Sequence, residues 1–167
     1  VPMLTREAHV IVSVGTDTGI ARARELFGAT CDVTRYPLDA SWAVRRFLDA
    51  ARPDAVALVE LEIWPNFVRA CGQRRIPVCV INGRLSARSF KGYRRLRRFF
   101  RPLFAALEFA AVQDADYAAR FEAMGVAPAD CFITGSMKWD SARIGGGAPG
   151  AWLGIVVALH AELVAAE

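Results

Sequence analysis

Four polar segments of this chain carry residue types that chemistry needs. In Glu60-Leu61-Glu62-Ile63-Trp64-Pro65-Asn66, two carboxylates follow the apolar run Ala55–Val59. If a strand continued through them, period-two alternation would put Glu60 and Glu62 on one face. A carboxylate beside apolar chain and Trp64 is costly unless paired or hydrogen-bonded, and functional sites collect such groups. Capping of the next helix, or pairing with an arginine, accounts for Glu60 as well. The loop Asn82-Gly83-Arg84-Leu85-Ser86-Ala87-Arg88-Ser89 offers two guanidinium groups and two hydroxyls to phosphate or carboxylate oxygens. It also reads as a solvated turn into a helix. Thr134-Gly135-Ser136-Met137-Lys138-Trp139-Asp140 holds Lys138 in a glycine-containing turn, where a cation can neutralise charge on a leaving group. Most lysines, however, simply sit at the surface. The fourth segment is the turn Gly15-Thr16-Asp17-Thr18-Gly19.

A second kind of signal lies between these segments. From Arg84 to Arg101 every charged residue is basic, so the net charge of +4 is a local basic face rather than a general property. On one continuous helix, Tyr93, Leu96, Phe99, Phe100 and Leu103 would form an apolar stripe. Arg94, Arg95, Arg97, Arg98 and Arg101 would cover the remainder. An anionic membrane surface, nucleic acid and plain solvation each fit that composition.

The elements that must position these groups are legible in the apolar pattern. The chain has 167 residues, 54% apolar and 23% charged, which suits one α/β domain with a real core. Strands are expected at Ala8–Val14, Cys31–Tyr36, Ala55–Val59, Pro77–Ile81, Phe109–Val112 and Cys131–Thr134. Helices are expected over Ile20–Phe27, from an N-cap at Ser41 to Ala51, from an N-cap at Asn66 to about Gln73, and from an N-cap at Asp114 to Met124. Nearly continuous apolar strands alternating with helices predict a doubly wound, Rossmann-like parallel sheet, whose ligands bind beyond the carboxyl ends of the strands. The four polar segments all fall at such ends. Residues 1–144 therefore read as one domain and 145–167 as a Gly-rich linker with an apolar tail. That tail, Ala151–Ala166, is expected to form a terminal helix packed on the domain. The cysteines Cys31, Cys71, Cys79 and Cys131 form no CxxC pair, which fits buried thiols rather than a zinc site or a disulfide framework. No apolar run reaches the roughly 18–20 residues of a membrane span.

The segments, in this order and spacing, resemble the Kdo (3-deoxy-octulosonic acid) transferases of lipopolysaccharide biosynthesis. Thr16-Asp17-Thr18-Gly19 is similar to the family's Thr-x-Thr-Gly turn, and Tyr36-Pro37-Leu38-Asp39 to its Tyr-x-Pro-x-Asp segment. Glu60 through Asn66 matches Glu-x-Glu-(aliphatic)-Trp-Pro-Asn without a gap. Asn82 through Ser89 matches Asn-x-Arg-Leu-Ser-x-Arg-Ser, and Thr134 through Asp140 matches Thr-Gly-x-(Met/Leu)-Lys-(aromatic)-Asp.

The resemblance implies the amino-terminal half of a two-domain GT-B fold and inverting transfer of Kdo from CMP-Kdo to the lipid A precursor. It implies no metal and no cofactor, at the cytoplasmic face of the bacterial inner membrane, with the protein peripheral or amino-terminally anchored. By resemblance Glu60 and Lys138 are transition-state stabilisers; Thr18, Gly19, Glu62, Asn82, Arg84, Ser86 and Arg88 are expected to bind substrate, the two arginines because guanidinium groups suit the phosphates of lipid A. Arg94, Arg95, Arg97, Arg98 and Phe99 are expected to meet anionic lipid rather than nucleic acid. The family's general base lies upstream of the first strand seen here, and its nucleotide-binding domain follows Asp140. The expectation is little or no transferase activity for this polypeptide alone. The alternative function is a non-catalytic module that binds a membrane surface or an anionic ligand.

Overall fold

A computed structural model describes Thr5, residues 8–61, residues 63–136 and, as backbone, residues 155–160. Its strands are β1 (His9–Val14), β2 (Asp32–Arg35), β3 (Ala55–Val59), β4 (Val78–Gly83), β5 (Phe109–Val112), β6 (Cys131–Ile133) and β7 (Ile155–His160). Its helices are α1 (Asp17–Phe27), α2 (Ser41–Ala51), α3 (Pro65–Gln73), α4 (Ala87–Arg95), α5 (Arg97–Ala105) and α6 (Ala115–Met124). The strands form one sheet in the order β2-β1-β7-β3-β4-β5-β6. The neighbours β1–β2, β3–β4, β4–β5 and β5–β6 run parallel with helical crossovers, the doubly wound arrangement expected from the sequence. The central strands are apolar on both faces because helices cover both, whereas the edge strands β2 and β6 are short and partly exposed.

The tail departs from expectation. Ile155–His160 is a strand, not part of a terminal helix. It pairs antiparallel with β1 from His9↔His160 to Val14↔Ile155, and with β3 from Ala55↔Leu159 to Leu58↔Val156. Two physical reasons favour this. Ile155, Val156 and Val157 are β-branched and prefer extended backbone. Their backbone also pairs with N–H and C=O groups of β1 and β3 that would otherwise face each other unsatisfied across the sheet centre. The sheet is therefore mixed rather than wholly parallel. Residues 137–154 and 161–167, including the Gly-rich stretch, lie outside the described residues.

The larger core cluster gathers Leu48, Leu58, Phe67, Val80, Leu85, Phe104, Phe121 and Met124, all nearly inaccessible to solvent. A smaller one sets Ile20 and Ala23 of α1 against Val10, Val12 and Val14 of β1. Each large side chain removed from water contributes about 1.5–3 kcal/mol before entropy is counted. In α2, Val44 and Leu48 are buried, whereas Trp42 is 67% exposed.

The basic stretch is two helices, not one. They break at Leu96, and the break brings Tyr93 into edge contact with Phe100 and Phe104, with ring centroids 4.6 and 5.8 Å apart. On a straight helix Tyr93 and Phe104 would stand about 16 Å apart. Leu96 and Phe99 pay no part in the expected inner stripe and are 60% and 42% exposed among the arginines. Among the described residues, no helix is long and apolar enough to cross a membrane.

Candidate functional site

The strand β3 ends at Val59, and Glu60 turns into the left-handed region at φ 63°. Glu60 thus already stands outside the strand, and the alternation of β3 does not extend to it. Its N–H donates to the carbonyl of Ile81 at 3.0 Å, which ties the turn to the adjacent strand. The end of β4 does the same thing, with Asn82 at φ 54°. Non-glycine residues in this region cost about 1 kcal/mol or more each, so neighbouring contacts must hold them. β3 leaves the sheet there, whereas β4 shifts register between Val80 and Gly83 and stays paired with β5 through Gly83↔Val112 before leaving at the same carboxyl rim. The next residue, Gly83, lies so near β5 that a Cβ would stand 2.9 Å from Val112 Cγ1.

Glu60 and Arg84 come together on this rim, with Nη1 3.6 Å from Oε1 and both side chains partly exposed. Arg84 holds its proton even more firmly than an ordinary guanidinium. The main cause is the Tyr117 side chain, which accepts a hydrogen bond from the guanidinium; burial opposes it, and the charge of Glu60 adds to it. Ser86 caps α4, its Oγ accepting from Ser89 N–H at 3.1 Å and donating to Ser89 Oγ at 3.0 Å. Arg88 stands exposed on the first turn of α4. Asp39 reaches across from the loop after β2: its carboxylate accepts from the N–H groups of Asn66 and Phe67 at 3.1 and 2.9 Å. The cap of α3 is thus Asp39, a residue distant in sequence, and not Asn66. Ser41 is likewise the first residue of α2, following Ala40, rather than its cap.

The other expected residues are placed as follows. The helix α1 begins at Asp17, so Thr18 and Gly19 lie in its first turn and not in a loop, capped by Thr16 Oγ1 accepting from Gly19 N–H at 3.1 Å. A Cβ at Gly19 would fall 2.6 Å from Val14 Cγ1, which gives that glycine a packing reason. This turn shares the carboxyl rim, but β7 separates β1 from β3, a gap of about 10 Å. The strand β6 exits at the same rim, with Thr134 N–H donating to Val112 O at 2.9 Å. Glu62 and Lys138 lie outside the described residues. Arg97, Arg98 and Arg101 line an open cavity of ≈ 580 Å³ with Pro102 and Ala105. Arg69 lies over the Phe99 ring at 4.5 Å and Arg94 near the Phe90 ring at 5.8 Å. Among the described residues, no group of three or more His, Cys, Asp or Glu side chains converges as a metal site would require.

Sequence reasoning missed Gln113, Tyr117 and Arg120, which surround the Asn82–Leu85 turn. The signal available was position: Gln113 follows directly after β5, at the same rim as the polar segments.

A family model described as "3-Deoxy-D-manno-octulosonic-acid transferase (kdotransferase)" matches residues 3–141. The chain is 30% identical to a 3-deoxy-D-manno-octulosonic acid transferase of Haemophilus influenzae over 125 residues, 75% of this chain and 29% of that protein. It is 32% identical to the transferase of the same name from Chlamydophila psittaci over 134 residues, covering 79% and 31%. With the Bordetella pertussis transferase it shares 32% over 148 residues, covering 84% and 33%. The chain thus spans about a third of the length of the relatives it matches. With the described motif residues standing at the strand ends of a doubly wound sheet, the chain belongs to the 3-deoxy-D-manno-octulosonic-acid transferase family of glycosyltransferases.

Proposed function

We propose that this chain is the acceptor-side domain of an inverting transferase that moves Kdo from CMP-Kdo to a hydroxyl of the lipid A precursor at the cytoplasmic face of the inner membrane. The observation that carries this reading is the Glu60 carboxylate at the carboxyl end of β3, 3.6 Å from the Arg84 guanidinium. A sugar parting from its nucleotide gains oxocarbenium character, which a nearby carboxylate stabilises. The departing phosphate and the carboxylate of the sugar acid are anions, for which Arg84, Arg88 and Lys138 are suitable partners. Asn82, Ser86, Thr18, Gly19 and Glu62 complete the substrate surface in this reading. In this reading the nucleotide cradle belongs to the part of the relatives that this chain does not span.

The test uses a chimaera in which residues 3–141 replace the matching segment of the Haemophilus influenzae relative. Transfer of Kdo to the lipid A precursor is expected. Glu60→Gln and Lys138→Ala should each lower kcat at least about tenfold, or about 1.4 kcal/mol in barrier. Unchanged rates in both variants remove these residues from the chemistry.

A second reading, a non-catalytic module for membrane surfaces or anionic ligands, is favoured by one observation: Leu96 and Phe99 are exposed among the arginines of α4 and α5. Co-sedimentation with vesicles of anionic and of neutral lipid, set against RNA binding at matched salt, tests it. RNA winning at physiological salt overturns the lipid reading.

A further inference from the structure

The Asn82–Leu85 turn is bolted at both ends by residues outside the motifs. Gln113 donates its Nε2 to Asn82 Oδ1 at 2.9 Å and to the Asn82 carbonyl at 3.3 Å, and its backbone N–H donates to the Gly83 carbonyl at 3.2 Å. Arg120 donates Nη1 to the Leu85 carbonyl at 2.9 Å and is itself steadied by Asp116 at 3.2 Å. Arg84 lies between the two bolts. Asn82 is buried and left-handed, a conformation that needs a tie of this kind to persist. The bolts are also firmly founded. The helix α6 is capped by Asp114, whose Oδ1 accepts from Tyr117 N–H at 2.8 Å, and Phe121 and Met124 anchor it in the core. The direction in which Arg84 leaves the backbone is therefore set by the β5–α6 segment, not by its own loop.

We propose that Gln113 and Arg120 are positioning residues that hold the Arg84 guanidinium against Glu60. Tyr117, between them on α6, favours the charged form of the same guanidinium. The consequence for sugar transfer rests on the functional reading above; the Arg84–Glu60 contact itself is measurable without it.

The experiment is an NMR measurement on the whole chain labelled with nitrogen-15, following the guanidinium resonances of Arg84. Arg84→Lys identifies the signal, and Glu60→Gln marks its position when the carboxylate is gone. Gln113→Ala and Arg120→Met should each move it most of the way toward the Glu60→Gln position, with the amide signals of β1 and α3 unmoved. A signal that stays at the wild-type position in both variants overturns the proposal. Should Gln113→Ala fail to fold, Asn82→Gly deletes the 2.9 Å side-chain bond and leaves only the longer one to the carbonyl, while relieving the left-handed strain, and an unmoved signal there has the same meaning. In the transfer-competent chimaera, Gln113→Ala should cost about fivefold or more with Arg84 present and nothing further in an Arg84→Ala background. Equal losses in both backgrounds would show action on the fold and overturn the positioning role. A chimaera without any transfer would sink the functional reading and leave the NMR result standing.

Discussion

Asp39 and Asn66 hold each other from opposite sides of one joint. The Asp39 carboxylate accepts the backbone N–H groups that open α3, while Asn66 Nδ2 donates to the Asp39 carbonyl at 2.5 Å. The Tyr36–Asp39 and Glu60–Asn66 segments thus meet because one caps the other. Their bonds fix where the turn carrying Glu60 must end.

Asp39→Ala should therefore lower stability by about 1–2 kcal/mol, the usual cost of losing a helix cap. Asp39→Asn should recover part of it. Urea denaturation of the chain reads both, and an unchanged midpoint for Asp39→Ala would remove the capping role.

Glu60 stands where glycine would be more comfortable. Relief of left-handed strain outweighs the chain entropy that glycine adds, so Glu60→Gly should raise stability by about 0.5–1 kcal/mol. The lost contact with Arg84 subtracts little, because both groups are partly exposed. The same variant should abolish transfer in the chimaera. Thermal melting beside the transfer assay would show this opposition of stability and function.

Gly19 and Gly92 make a paired test. A methyl at Gly19 meets Val14 Cγ1 at 2.6 Å and Thr16 Oγ1 at 2.7 Å, whereas one at Gly92 meets nothing within 4 Å. Gly19→Ala should destabilise the chain by about 1–3 kcal/mol through overpacking. Gly92→Ala, within α4, should stabilise it by up to about 1 kcal/mol. Equal shifts in melting temperature for the two variants would contradict the packing account.

Burial pushes the Cys71 thiol up to about 12, against a lowering by Arg74, and the Cys79 thiol up to about 11, against a lowering by its backbone hydrogen bond. The folded state thus keeps protons that the unfolded state has released. For a raised pKa the stabilisation is complete below the unfolded value near 9.0 and is lost as pH rises toward the folded one. Stability should fall between pH 9 and 11 with a contribution of about 1.4 kcal/mol per pH unit from each thiol until it ionises. Cys71→Ala should flatten that slope in urea titrations across the range.

Arg97 and Arg98 flank an open cavity beside exposed Phe99. On an anionic surface each such arginine is worth about 1 kcal/mol. Replacing both with Gln should then weaken binding to anionic vesicles about thirtyfold at low salt, with neutral vesicles unaffected. Co-sedimentation measures it directly.

The amino-acid sequence by itself determined the strands β3 and β5, the Asp114 cap and Gly125 stop of α6, and the rim on which the polar segments fall. These are local matters: an apolar run long enough to bury, a side chain within reach of its own helix end, a glycine where the backbone turns. Tertiary structure alone decided what depends on which backbones become neighbours. Asp39 caps a helix from 27 residues away, and Gln113 grips Asn82 from 31. The bend at Leu96 exists because Tyr93 finds Phe104, and Ile155–His160 became a strand because β1 and β3 offered it backbone partners on both sides. Burial and hydrogen-bond satisfaction across long loops set these relations, and local preference, such as that of the β-branched Ile155–Val157 run for extended backbone, does not name the partner.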